Sequence, residues 1–351
     1  KKYMQDQNNN QDQRLEQFYK LESPPKEKKK GRKGLKIWII VITCVITFGV
    51  IVSLAINALV PDSAFAPPEL PYVGVLYVEG VIAKNNVDTW GRAIGYQHDF
   101  SINTIDKLIR DRNNKGLIIY VESPGGGIYE SDELYLKLKE YKEKTKRPVY
   151  AYMGSMAASG GYYISAPADM IFANRNCWTG SIGVTIGTLY DLSGFLERHG
   201  IKAVTIASGR NKSMGSIVDP LTDEQRRIFQ SLVDEAYDQF VNIVTEERQM
   251  DIDRVRELAD GRIYTANQAL EVDLIDGVAT YNEAVRHMAD TYDLGDALLY
   301  DIRYKDDSLI GRLFSKLPLP QKTGSDVDAI LSLVHKDVRF PISYVCEILI
   351  N

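Results

Sequence analysis

The longest uninterrupted apolar stretch of the chain, residues 37–60, reads IWIIVITCVITFGVIVSLAINALV and contains no charged side chain. A helix rises about 1.5 Å per residue, so this stretch reaches about 36 Å, more than the roughly 30 Å of a bilayer's hydrocarbon core. Seven basic side chains lie just before it, in residues 26–36, and the positive-inside rule places such a cluster in the cytoplasm. The pattern predicts one transmembrane helix, with everything after Val60 outside the cytoplasm.

The segments on either side of this helix are predicted to lack a packed core. Residues 1–36 join a Gln-, Asn- and Asp-rich stretch to the basic cluster, which is typical of a disordered cytoplasmic tail. Residues 61–71 contain four prolines and predict a stiff linker. The sequence AFA at Ala64–Ala66 also fits a secretory cleavage site, but the apolar run is longer than a usual signal core, so an uncleaved anchor is favoured.

Beyond residue 71, short apolar runs alternate with amphipathic segments. Strands are predicted at YVGVLYVEGVI, GLIIYVE, RPVYAYMG and DMIFAN, and helices at SINTIDKLIRDRNNKG, ESDELYLKLKEYKEKTK and SGGYYISAPA. Ser101 is the expected N-cap of the first helix, and TDEQ is a capping box that predicts a long helix from Thr222. Strands without a polar face that alternate with helices predict an α/β domain with a buried parallel sheet.

The composition indicates a folded domain and argues against some classes of function, but it does not identify the function. The 351 residues are 44% hydrophobic, enough to bury a sizeable core, and a net charge of -5 gives no general reason to bind nucleic acid. The three cysteines, Cys44, Cys177 and Cys346, are not expected to form a disulfide framework.

Three glycine-rich turns follow predicted strands, at the edge where parallel sheets form ligand sites. They are ESPGGG at Glu122–Gly127, GSMAASGG at Gly154–Gly161 and TGSIGV at Thr179–Val184. A phosphate cradle is one interpretation of such turns, but none ends in the Lys-Ser/Thr pair of a P-loop. No cofactor and no metal ion are predicted.

Ser159 lies in the second of these turns, between two alanines and two glycines. Either its hydroxyl caps the following helix, or it is a nucleophile with an exposed hydroxyl. In the second case the N–H groups of Gly160 and Gly126 would form an oxyanion hole. A nucleophilic Ser159 would also require a general base to remove its proton. None of the four histidines lies in a glycine-rich turn, and Lys212 in SGRNKSMGS fits either a general base or a solvated loop lysine.

Taken together, these motifs resemble the signal peptide peptidase A family, serine proteases of the Clp-protease/crotonase fold with a serine-lysine dyad. The resemblance runs from about Tyr72 to about Asp290. It rests on ESPGGG, GSMAASGGYYIS, TGSIGV, SGRNKS followed by DPLTDEQ, and GRIYTANQALEVDLID, all in the family's order. The implied fold is a repeated ββα spiral of the α/β class, here preceded by the transmembrane helix.

The resemblance implies roles for five residues of the site. They are Ser159 as nucleophile, Lys212 as general base, Ser181 as the hydroxyl that holds the lysine, and Gly126 and Gly160 as the oxyanion positions.

One position departs from the family pattern. Asp273 stands where the family usually has glycine. Because Asp tolerates a positive φ better than most residues, we expect this departure to affect stability rather than activity.

The resemblance also implies a function and a location. Members of the signal peptide peptidase A family degrade remnant signal peptides and other extended apolar peptides at the outer face of the cytoplasmic membrane. Half-length members form rings in which one subunit supplies the serine and its neighbour the lysine. Nothing local forces Ser159 and Lys212 together, because Lys212 comes 53 positions after Ser159. We therefore expect a membrane-anchored homo-oligomeric serine endopeptidase with shared sites and no nucleic-acid partner.

Three related functions stand as alternatives. A Clp-type Ser-His-Asp protease would need a histidine about 25 residues after Ser159, where this sequence has Val184. A crotonase-type acyl-CoA enzyme would need no serine-lysine pair and no extracytoplasmic anchor. An inactive scaffold of the same fold would have no need to retain both Ser159 and Lys212.

The peptidase domain is predicted over residues 72–300 and a C-terminal tail over 301–351. The tail ends in the apolar segment VRFPISYVCEILIN, residues 338–351. The favoured interpretation packs this segment on the domain's own core. The alternative adds it as a strand to a peptide-binding groove, where it would act as an internal competitor.

Overall fold

The computed structural model describes residues 38, 40–49, 67–88, 93–304 and 343–345, and these belong to two compact units, residues 1–63 and 64–351. In the first unit, Trp38 and residues 40–49 are helical with exposed side chains. Within the described residues, no helix is both long enough and apolar enough to cross a membrane. The predicted tail 1–36, most of the predicted span 37–60 and most of the linker lie outside them.

The second unit contains both strands and helices, and most of its parallel strands are separated by helices. The strands are β1 (Tyr72–Glu79), β2 (Asn85–Val87), β3 (Ala93–Gln97), β4 (Asn114–Ser123), β5 (Gly125–Gly127), β6 (Val149–Ala158), β7 (Met170–Ala173), β8 (Trp178–Gly180), β9 (Ile263–Thr265), β10 (Gly277–Val278), β11 (Leu298–Ile302) and β12 (Ser343–Val345). The helices are α1 (His98–Arg110), α2 (Ile128–Thr145), α3 (Gly160–Ser165), α4 (Ser193–Arg198), α5 (Asp223–Arg248), α6 (Ile252–Leu258), α7 (Ala266–Glu271) and α8 (Tyr281–Tyr292).

Six strands form a parallel sheet in the order β10-β7-β6-β4-β1-β11. The sheet is buried on both faces. One face packs against α1, α2, α3 and the second half of α5, and the other packs against α8 through Ala284 and Met288. Burial on both faces explains why the strands read as nearly continuous apolar runs. The predicted α/β class with a parallel sheet is confirmed.

The strand β6 changes its partner halfway along, and this change adds two short strands to the sheet, β8 and, antiparallel to it, β9. Residues 150–153 of β6 pair with β7, whereas residues 156–158 pair with β8. The strand β5 likewise leaves the main sheet and is bridged to Ile82. Both departures occur at the carboxyl ends of the central strands, where the glycine-rich turns lie.

The first helix begins earlier than the sequence predicted. Its first residue is His98 and its N-cap is Gln97, so the prediction of Ser101 as N-cap is wrong. Ser101 is buried one turn inside the helix, where its hydroxyl donates to the Gln97 carbonyl at 3.1 Å. A buried serine can satisfy its hydroxyl in this way within a helix, so it does not have to mark the start.

The long helix α5 begins as predicted. The Thr222 hydroxyl accepts a hydrogen bond from the Gln225 N–H, and the Gln225 side chain accepts one from the Thr222 N–H, both at 3.2 Å. Its apolar face, however, is buried only in the second half, from Phe240 onward, and Leu232 is exposed. The first half of the helix therefore extends beyond the core of its own domain.

Residues 187–222, which precede α5 and which we call the arm, contain no buried residue. The arm includes α4 and Lys212, and it carries several exposed apolar side chains, among them Val204 at 82% and Ile206 at 95% exposure. An apolar surface of this kind is typical of a site that another protein covers.

Candidate active site

Ser159 lies at the turn from β6 to α3 in a strained backbone conformation, with φ +55° and ψ -116°. Such a conformation costs on the order of 1–3 kcal/mol and is concentrated at functional sites. Ser159 occupies the N-cap position of α3, yet its side chain makes no capping hydrogen bond. Its hydroxyl is buried and has no hydrogen-bond partner among the described residues. The Ser159 side chain therefore does not cap α3 in this structure, and its role as nucleophile stays a prediction.

The two predicted oxyanion positions face one another. If Gly160 carried a Cβ atom, that atom would lie 3.1 Å from the Gly126 nitrogen and 2.6 Å from the Ser131 hydroxyl oxygen. Gly160 is the first residue of α3, so its N–H is one of the helix's unpaired first-turn donors. Gly126 and Gly160 are thus packed directly against one another, next to Ser159 in the chain.

Gly126 could not be replaced without moving the backbone. A Cβ at this position would lie 1.9 Å from the Ile82 carbonyl oxygen. The two segments are held together by hydrogen bonds from the Ile82 N–H to the Gly125 carbonyl and from the Gly127 N–H to the Ile82 carbonyl, both at 2.8 Å. This close contact fixes the position of the Gly126 nitrogen relative to the sheet.

Ser181 follows β8 directly and lies beside the turn that carries Ser159. Ala158 pairs with Gly180, and the Ser159 N–H donates to the Gly180 carbonyl at 2.7 Å. Ser181 itself is 7% exposed, has φ +50°, and donates its N–H to the Arg262 carbonyl at 2.7 Å. The fold therefore brings together four of the five predicted site residues.

The fifth residue, Lys212, is exposed in the arm. Its backbone N–H donates to the Gly209 carbonyl at 3.0 Å. No hydrogen bond in the described part of the chain joins its side chain to Ser159, whose hydroxyl has no partner there. The structure does not bring the predicted base to the predicted nucleophile within one chain.

The histidines have other partners. The His98 ring is buried and shares hydrogen bonds of 2.7 Å with the Tyr96 hydroxyl and the Glu133 carboxylate. His287 shares one of 2.9 Å with the Tyr150 hydroxyl, and the exposed His199 ring bonds its own helix. His335 lies outside the described residues. None of the described histidines is bonded to the Ser159 hydroxyl.

Two further kinds of chemistry find no support in the described residues. Burial raises the pKa of the Cys177 thiol to about 12, which leaves it protonated and unreactive as a nucleophile at neutral pH. Among the residues that the structure describes, no group of three His, Cys, Asp or Glu side chains is arranged to hold a metal ion.

Residues 343–345, near the C-terminus, pair with the glycine strand β5. In β12, Ser343, Tyr344 and Val345 lie antiparallel to β5, opposite Gly127, Gly126 and Gly125 respectively. Over these three residues the chain adds to β5 as a strand, while the rest of the segment 338–351 lies outside the described residues. Whether this strand competes with a substrate stays a prediction.

Sequence reasoning did not identify Ser131 or Ile82 as parts of the site. Ser131 is fully buried in the first turns of α2, with its hydroxyl oxygen next to Gly160. Only its position four residues after the GGG of β5 could have indicated that it lies near the glycine turn. Ile82 lies in a loop whose approach to Gly126 depends on tertiary packing.

A parallel α/β sheet that presents a strained, unpartnered serine beside two facing glycines is the arrangement of a serine hydrolase. Comparison with known proteins narrows this class. Residues 141–295 match the model of peptidase family S49. The chain is 41% identical over 233 residues to the putative signal peptide peptidase SppA of Enterococcus faecium, covering 66% of this chain and 67% of that protein.

Two relatives of lower identity are also named as proteases. A putative protease of Methanocaldococcus jannaschii is 36% identical over 189 residues, 54% of this chain and 60% of that protein. Protease 4 of Haemophilus influenzae is 33% identical over 218 residues, 61% of this chain and 34% of that protein. The chain belongs to peptidase family S49, the family of signal peptide peptidase A, and is a serine-type peptidase.

Proposed function

We propose that this chain is a membrane-anchored serine endopeptidase that cleaves extended apolar peptides, including signal-peptide remnants, with Ser159 as nucleophile and Lys212 as base. The observation that carries the proposal is the Ser159 turn. There, a strained backbone holds a buried, unpartnered hydroxyl beside the facing Gly126 and Gly160. A hydroxyl placed in this way is ready to attack a carbonyl group.

The reaction follows from these positions. Lys212, uncharged, removes the proton from Ser159, and the hydroxyl oxygen bonds to the carbonyl carbon of the scissile peptide. The electron pair of the C=O bond moves to its oxygen, where the N–H groups of Gly126 and Gly160 stabilise the negative charge. When the intermediate collapses, the C–N bond breaks and the amine leaves with the proton from Lys212. A water molecule, deprotonated by Lys212, then attacks the acyl carbon. The bond to the Ser159 oxygen breaks, and this oxygen takes the proton back from Lys212.

The base is proposed to come from a second copy of the chain. Lys212 is exposed in an arm without buried residues, and the same arm exposes large apolar side chains such as Val204 and Ile206. An arm that packs on a neighbouring subunit would cover these side chains and could carry Lys212 to that neighbour's Ser159. In a closed ring every subunit would give one lysine and receive one.

The substrate class is proposed from the strand β5. This strand is held on one side by Ile82, and on the other it pairs antiparallel with β12. The second edge therefore accepts an extended chain through main-chain hydrogen bonds, the mode known as β-augmentation. A bound peptide would pass its scissile carbonyl next to Gly126. The predicted anchor at residues 37–60 would hold this groove at the outer face of the membrane, where signal-peptide remnants remain after secretion.

The test is hydrolysis of an extended-peptide library by the full chain in detergent. We expect cleavage next to apolar or small residues, activity that rises with pH into the alkaline range because the base must be uncharged, and loss of turnover in Ser159→Ala. Ser165→Ala is the matched control, because Ser165 is a buried serine of α3 whose hydroxyl donates to the Gly161 carbonyl at 2.8 Å. Turnover by Ser159→Ala, activity that falls above pH 7, or a profile dominated by charged residues would contradict the proposal.

The pairing of β12 with β5 supports a second element of this function, in which the tail competes with substrate for the groove. A tethered competitor raises the apparent KM without changing the chemical step. Deletion of residues 337–351 should therefore lower KM severalfold and leave kcat unchanged, as measured with a short apolar peptide.

A synthetic peptide of residues 338–351, added to the shortened chain, should restore the higher KM competitively. An unchanged KM in a folded, shortened chain would rule out competition. Loss of cooperative thermal unfolding on deletion would instead show that the tail is part of the core.

A further inference from the structure

Ser131 is the fourth residue of α2, the helix that begins directly after the glycine strand β5. Its side chain is fully buried, and its hydroxyl has no hydrogen-bond partner among the described residues. Burying a hydroxyl without a partner is unfavourable, because the group loses its hydrogen bonds to water and gains none in return. Ser159 carries another such hydroxyl, and both lie next to Gly160.

Among the residues that the structure describes, the other buried serines in helices do not share this property. Ser101 in α1 donates to the Gln97 carbonyl at 3.1 Å, and Ser165 in α3 donates to the Gly161 carbonyl at 2.8 Å, each four residues back. The same bond from Ser131 would go to Gly127, but the hydroxyl does not make it. The orientation of the Ser131 hydroxyl is therefore not explained by a hydrogen bond to the carbonyl four residues back, which is the usual partner of a serine hydroxyl within a helix.

The hydroxyl lies instead against Gly160, at the point where Gly160 packs against Gly126. The point where a Cβ of Gly160 would stand is 2.6 Å from the Ser131 oxygen and 3.1 Å from the Gly126 nitrogen. Two polar atoms, one from the strand β5 and one from the helix α2, thus converge on the same side of Gly160. Because α2 starts where β5 ends, their relative positions are fixed by one continuous piece of backbone.

We propose that the Ser131 hydroxyl is a third hydrogen-bond donor to the oxyanion, next to the N–H groups of Gly126 and Gly160. The inference rests on the proposed peptidase function and adds a side-chain donor to that site. A hydrogen bond to a charged oxygen is stronger than one to a neutral carbonyl, so this donor acts more on the transition state than on the bound substrate. Its loss should therefore appear in kcat and leave KM nearly unchanged.

The test is Ser131→Ala in the full chain, compared with wild type and with Ser101→Ala as the matched buried control. We expect kcat to fall on the order of tenfold in Ser131→Ala, with KM nearly constant. Affinity for a peptide aldehyde, whose adduct places an oxygen in the oxyanion space, should fall by the same factor. The melting temperature should stay the same or rise, because the substitution removes an unpartnered buried hydroxyl. A purely structural serine would instead lower the melting temperature and leave kcat intact.

A second pair of variants separates the hydroxyl from the space it fills. Ser131→Thr keeps the hydroxyl and Ser131→Val does not, while both add similar bulk. We expect Ser131→Thr to be the more active of the two, again by a factor on the order of ten. Equal activities in this pair, or wild-type kcat in Ser131→Ala, would overturn the inference while Ser159-dependent turnover stands. Absence of Ser159-dependent turnover in the wild-type chain would instead overturn the proposed function itself.

Discussion

A mixture of Ser159→Ala and Lys212→Ala chains should regain peptidase activity that neither variant has alone. Each variant lacks one half of the proposed catalytic pair, so each should be inactive by itself. If one subunit supplies the serine and its neighbour the lysine, a mixed ring contains sites in which both intact residues meet. With random exchange at equal amounts, about a quarter of the sites in a ring should be complete.

The measurement is hydrolysis of an apolar peptide after the two variants have been dissociated and reassembled together. Co-purification through different affinity tags shows that subunits have exchanged. A Ser159→Ala/Lys212→Ala double variant is the control, because its mixture with either single variant contains no complete site. If exchange is demonstrated and no activity returns, then both residues act within one chain and the arm must fold back onto its own domain.

The sequence was sufficient to predict those parts of the fold that depend on local chemistry. The capping box at Thr222 forms as expected, because it needs only side chains and backbone groups three residues apart. Asp273, predicted from its motif to take a position suited to glycine, has φ +61°. The continuous apolar runs correctly predicted parallel strands, because strands covered on both faces have no polar side to reveal.

Features that depend on tertiary contacts could not be predicted from the sequence. The start of α1 at His98 depends on a buried environment in which Ser101 bonds backward along the helix. The position of Ser131 next to Gly160 arises because α2 and α3 pack against each other, and nothing in the spacing of the two residues along the chain indicates it. Lys212 is a different case: its motif marked it as a candidate base, but its partner is proposed to belong to another chain.

Replacement of Gly160 by alanine should reduce kcat about 100-fold while leaving the domain folded. The new Cβ would lie 2.6 Å from the Ser131 oxygen and 3.1 Å from the Gly126 nitrogen. The serine can turn away, but the Gly126 nitrogen belongs to a backbone that is held against Ile82 by hydrogen bonds on both sides of it. The two oxyanion positions must therefore move apart, and even small displacements in an active site cost about 100-fold in rate.

We expect the domain to stay folded in Gly160→Ala. Alanine is favoured over glycine by about 1 kcal/mol in a helix interior, and a part of this gain at the first position of α3 opposes the crowding. Gly295→Ala is the control, since a Cβ there would meet no atom within 4 Å.

In the double variant Ser131→Ala/Gly160→Ala, the contact with the hydroxyl is gone while the contact with Gly126 remains. We therefore expect kcat in the double variant to stay near that of Gly160→Ala, so that the two losses do not multiply. If the two losses in kcat multiply fully, Ser131 and Gly160 act independently in the site. A wild-type kcat in Gly160→Ala would contradict the placement of the oxyanion site at Gly160.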